Sequence, residues 1–161
     1  MNILRETVMG PELFDFAFKT YAKRWAFKQP TPADFFRTME DASGKDLDWF
    51  WRGWFYSTDA CDIAIDSVKY FHAENNTYSY EVTLNNKGGL VMPVIIEWLY
   101  SDNTKETDRL PAQAWRMNEK TAILTFVKKK EVVSITLDPG RETADIDENN
   151  NKWQNPLKKA P

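Results

Sequence analysis

Few residues in this chain have the type and spacing to do chemistry, and they lie far apart. There is one histidine, His72, and one cysteine, Cys61, in 161 residues. His72 follows Val68-Lys69-Tyr70-Phe71 and precedes a polar turn. A catalytic or metal role would need partners within hydrogen-bond reach, and nothing local offers them, so His72 reads as a surface residue at a strand end. Cys61 has no neighbouring base to lower its pKa and reads as a structural thiol. With these counts no disulfide can form within the chain, and neither a Cys₂His₂ nor an HExxH zinc site can be built from it. Asp46 and Asp48 offer a carboxylate pair, but beside Lys45 and at a helix start, where the macrodipole favours them without any catalytic role. Asp145-x-Asp147-x-Asn149 opens like a calcium loop. It then puts Asn150 where that loop needs Gly and Pro156 where it needs a bidentate Glu, so it reads as a solvated tail. Asn75-Asn76-Thr77 fits the glycosylation acceptor pattern and reads chiefly as a turn. The residues therefore assign no catalytic, cofactor-binding or metal-ligating position in this chain.

Composition narrows the class. The 21 basic and 24 acidic residues leave a net charge of −3, which argues against a dedicated nucleic-acid binder. No apolar run approaches the length of a membrane span, and Met1-Asn2-Ile3-Leu4-Arg5-Glu6 has no apolar core of a signal peptide. This start reads like the middle of a helix, and the chain like a piece of something longer. The unusual quantity is the aromatic load: 7 Trp, 6 Tyr and 10 Phe, with 14 of those 23 rings in residues 1–60. Each large ring must remove roughly 150–250 Å² from water, within the chain or against a partner.

Periodicity divides the chain in two. Residues 1–60 read as helices. Ile3, Leu4 and Val8 share a face that Gly10-Pro11 ends. Phe14, Phe18, Tyr21 and Trp25 form one stripe of a second helix that Pro30 closes. Thr31-Pro32-Ala33-Asp34 is a capping box with proline at the first helical position, and Ser43-Gly44 is a stop. Asp46 caps a last helix, with Leu47, Phe50, Trp51, Trp54 and Phe55 on its apolar face. From Ile63 the period becomes 2. Tyr78, Tyr80, Val82 and Leu84 alternate with polar residues, as do Met92 to Tyr100, Ala122 to Phe126 and Val133 to Leu137. Roughly seven short strands over 63–138 predict an immunoglobulin-like sandwich spanning 63–148, followed by a polar tail over 149–161. The fold class expected is α+β, a helical subdomain and then an all-β one.

One resemblance attaches to the helical part. Leu4-Arg5-Glu6-Thr7-Val8-Met9-Gly10-Pro11-Glu12-Leu13-Phe14 and Ala17-Phe18-Lys19-Thr20-Tyr21-Ala22-Lys23-Arg24-Trp25-Ala26-Phe27-Lys28 lead into Pro30-Thr31-Pro32-Ala33-Asp34-Phe35-Phe36-Arg37-Thr38-Met39-Glu40. Then comes Ser43-Gly44-Lys45-Asp46-Leu47-Asp48-Trp49-Phe50-Trp51-Arg52-Gly53-Trp54-Phe55-Tyr56. This order, T-P-x-D-F-F followed by E-x-x-S-G-x-D-L-x-W-F, resembles the end of the catalytic domain in zinc aminopeptidases of the HExxH gluzincin type. That family includes aminopeptidase N and the leukotriene-hydrolase-like enzymes, and the likeness is to bacterial members with a short C-terminal β-domain.

The resemblance implies an expectation for the whole protein: a metallopeptidase releasing N-terminal residues from peptides. In it two His and a Glu hold zinc, a second Glu activates water and a Tyr stabilises the tetrahedral intermediate. All of those positions would precede residue 1, so neither Tyr21 nor Tyr56 inherits a role. This chain by itself is expected to hold no zinc and to be catalytically silent. Its expected partners are the missing N-terminal catalytic region and, through it, the peptide substrate. Bacterial relatives are often exported to the periplasm. Two other readings stand beside this one. The β-part could be a carbohydrate- or protein-binding module with Trp98 and Trp115 as platform rings, or the apolar helices could drive self-association.

Overall fold

The computed structural model of the chain describes residues 1–73 and 77–157. The expected turn at Glu74-Asn75-Asn76, with the glycosylation pattern that it opens, and the terminal Lys158-Lys159-Ala160-Pro161 lie outside them. Two units divide at Thr58/Asp59.

The first unit is helical. A π-helical turn over Leu4–Met9 ends at Gly10, whose φ of 87° turns the chain into α1 (Pro11–Trp25). α1 stops five residues before Pro30, and Phe27 takes the left-handed conformation at φ 61°. The helix therefore ends earlier than the proline alone dictates. α2 (Pro32–Ser43) begins at the capping box as read: Thr31 N–H donates to Asp34 Oδ2 at 2.9 Å, and Pro32 fills the first position. It ends at Gly44, whose left-handed backbone lets its N–H donate to Glu40 O at 2.8 Å. α3 is Asp48–Tyr56, and Asp46 Oδ1 accepts the Asp48 N–H at its entrance. Leu4, Met9, Phe14, Ala17, Phe36, Met39, Leu47, Phe50 and Trp51 make the core.

The second unit holds two antiparallel sheets, so the chain is α+β. β1 (Ile63–Ala73), β2 (Thr77–Asn86) and β5 (Thr121–Lys128) form one sheet in the order β1-β2-β5. β3 (Val94–Tyr100), β4 (Lys105–Leu110), β6 (Val132–Leu137) and β7 (Lys152–Gln154) form the other, in the order β4-β3-β6-β7. Period-2 faces decide which residues go in. Tyr80, Val82 and Leu84 are fully buried, as are Met92, Ile96 and Trp98. Trp98 of one sheet packs on Tyr80 and Phe126 of the other, with ring centroids 5.9 and 4.9 Å apart. Pro93 and Pro111 flank β3 and β4, where no ladder donor is lost.

Within 149–157 the chain forms a strand, and Asp145 to Asn149 is hydrogen-bonded to the rest of the unit although Ile146, Glu148 and Asn149 are exposed. Lys152–Gln154 is a strand paired with β6, and Asn155 is buried, its Nδ2 donating to Val132 O. Ahead of it, Asp145 Oδ2 accepts the Ile63 N–H at 3.0 Å and Asp147 Oδ1 accepts from Asn149, so this loop is pinned to the start of β1. Polarity here also serves local hydrogen bonding, with Asx side chains accepting from backbone N–H groups. Six of the described strands lie between 63 and 138; the seventh is β7 beyond them.

Candidate functional site

His72 stays on the surface, near the end of β1, its ring edge-on to Tyr78 at 4.9 Å. Cys61 is buried and free, and burial pushes its thiol up to about 12. Neither has the setting of a catalytic group. Trp98 and Trp115 are buried, and their indole N–H groups donate to Asp108 Oδ2 and Met92 O. They cannot serve as flat sugar platforms.

Among the described residues the structure gathers one group of three carboxylates. Oxygens of Glu40, Asp46 and Asp48 lie within 4.8 Å of one another. They line an open cleft of about 640 Å³ in the helical unit, together with Phe36, Trp49, Trp51, Tyr56, Arg37 and Arg52. α2 supplies Glu40 from its last turn, the Gly44 reversal brings the chain back, and α3 starts at Asp48. Sequence spacing alone linked Asp46 with Asp48; Glu40 joins them only because Gly44 reverses the chain.

Glu40 is the structural centre of this group. Its Oε1 accepts the Leu47 N–H at 3.0 Å and the Trp51 Nε1–H at 3.2 Å. It therefore satisfies a backbone donor before α3 and fixes the indole that stacks on Phe36 at 4.4 Å. Asp46 and Asp48 are exposed. Arg37 and Arg52 line the same cleft. A catalytic zinc does not suit this set. Zinc sites use imidazole or thiolate beside carboxylate, and here all donors are carboxylate oxygens, with the half-buried one already engaged.

The sequence reading missed a second charged group. Lys128, at the end of β5, is 5% exposed along its side chain and lies 2.9 Å from Glu106 Oε1 and 2.6 Å from Asp108 Oδ2 on β4. The signal was present: Lys128 continues the inward alternation of Ala122, Leu124 and Phe126, and Glu106 and Asp108 alternate on β4. Around the helices, Phe16, Phe18, Phe55 and Tyr56 are exposed. Phe18 connects to Phe55 through Phe35 and Trp51 by ring contacts of 5.8–6.4 Å. No family model matches the chain, and no curated protein does.

Proposed function

We propose that this chain is the C-terminal, non-catalytic portion of a zinc aminopeptidase, with its helical unit forming a wall of the peptide-binding cleft. The observation that carries this reading is the coincidence of motif and mechanics over 30–56. The residues of the T-P-x-D-F-F and E-x-x-S-G-x-D-L pattern are the ones that cap α2, reverse at Gly44 and bracket α3 through Glu40. A pattern that works as a folding unit supports descent from a domain that uses the same unit. The exposed aromatic rings on the helical unit fit a surface that meets further chain. The second unit, in this reading, is an immunoglobulin-like sandwich that packs on the catalytic region.

The zinc site and its acid–base residues belong to the preceding part of such a protein. This chain would contribute cleft shape and packing to it. The reading is tested by assaying the purified chain with added zinc against aminoacyl amides. No turnover above the zinc blank is expected, and turnover that follows protein concentration would overturn the assignment of a silent portion.

A further inference from the structure

β5 ends one sheet and β4 ends the other, and among the described residues no ladder joins them. What spans the seam is Lys128. Its ammonium sits between Glu106 and Asp108, 4.7 Å from the Trp98 ring centroid and 5.8 Å from that of Phe126. The carboxylates are held in turn, since the Tyr100 hydroxyl donates to Glu106 and the Trp98 Nε1–H donates to Asp108 at 2.8 Å. We propose that Lys128, Glu106 and Asp108 form an acid-released latch that opens the β4–β5 seam while the β1–β2 and β3–β6 pairings hold.

The physical reason is asymmetry. A buried ammonium is tolerable only while it has counter-charges. When Glu106 and Asp108 are protonated, only the two aromatic rings remain, and water becomes the better partner. The flexible lysine stem then withdraws from the seam, and the two sheet ends lose the tie buried between them, while the exposed Lys130–Asp102 pair remains at the adjoining turns. Other charges facing the latch do not replace it. Lys105, Lys129 and Lys130 carry the same sign as Lys128, while Glu97 and Asp102 are engaged by Lys105 and Lys130. Tyr100 and Tyr80, on the neighbouring strands, are both pushed up by burial and stay neutral protein groups across the acid range. The bonds from Tyr100 and Lys128 hold the Glu106 carboxyl below its ordinary range, so the latch stays closed at neutral pH. The Glu106 share of the latch is lost as pH falls through that lowered value.

The test is segment-resolved amide hydrogen exchange on the full chain from pH 7 to pH 3, corrected for intrinsic rates, beside carbon-13 carboxyl titrations of Glu106 and Asp108. Protection over Lys105–Leu110 and the end of β5 should fall at least about tenfold in step with those titrations, while β1 and β6 keep theirs. Lys128→Met, which keeps the apolar stem, should abolish the step. If that variant does not fold, the wild-type experiment still decides. Carboxyl titration with unchanged β4 and β5 protection, or simultaneous loss in all strands, would overturn the latch.

Discussion

Glu40 joins the end of α2 to the start of α3 through a single carboxylate oxygen. One carboxylate oxygen takes a backbone N–H and an indole N–H, both partly buried. Glu40→Ala leaves two donors without a partner and should cost about 2–4 kcal/mol in urea unfolding. Glu40→Gln keeps an acceptor oxygen and should cost less than half of that. Equal losses for both variants would mean that packing rather than hydrogen bonding sets the cost. Cys61 gives a chemical readout at the same scale. Burial disfavours its thiolate and pushes the group up to about 12, so the native chain should ignore a disulfide exchange reagent at pH 8 and react fully in denaturant. Rapid native labelling would place Cys61 in an opening segment. His72 and Cys61 are legible in the sequence as single residues without local partners, and Asp46 and Asp48 as a carboxylate pair beside Lys45 at a helix start. Glu40 and Lys128 were not visible as sites, because each is defined by neighbours that a chain reversal or a sheet-to-sheet contact supplies.

At the scale of elements, local chemistry was legible where one short signal suffices. The capping box at Thr31 and the left-handed stop at Gly44 formed where the sequence placed them, and Thr31→Ala should cost about 1 kcal/mol. The end of α1 was misplaced, because a proline marks only the latest position at which a helix can stop. β7 was missed for a different reason. Three residues, Lys152–Gln154, are too short for periodicity to register, and they pair only because β6 offers an edge. Removing 152–161 should therefore lower stability by about 2 kcal/mol or more, since it takes Asn155 and Trp153 with β7. A dispensable tail would leave the melting temperature unchanged. Gly88 sets a comparable constraint: a Cβ there would meet Ala60 O at 2.1 Å, where Leu90 N–H also donates. Gly88→Ala should loosen the bridge between Ala60 and Gly89, read as lost amide protection at Ala60 and Leu90.

Across the whole molecule, composition set the question that the fold sharpened. Aromatic rings concentrate in the first 60 residues, and those that face inward build a core around Phe36, Phe50 and Trp51. Others, including Phe16, Phe18, Phe55 and Tyr56, remain exposed. The α+β class was legible from the change of period near Ile63. Which strands share a sheet was not, because pairing is decided by contacts far apart in sequence. No helix of the described residues is long and apolar enough to cross a membrane. The proposed role as a cleft wall makes a claim about residues outside this chain. Its most direct test is to read the native reading frame upstream of Met1. An HExxH motif followed downstream by a glutamate, in frame with this chain, is the expected result. A frame that runs upstream without that motif, or a stop codon directly before Met1, would contradict the proposed origin.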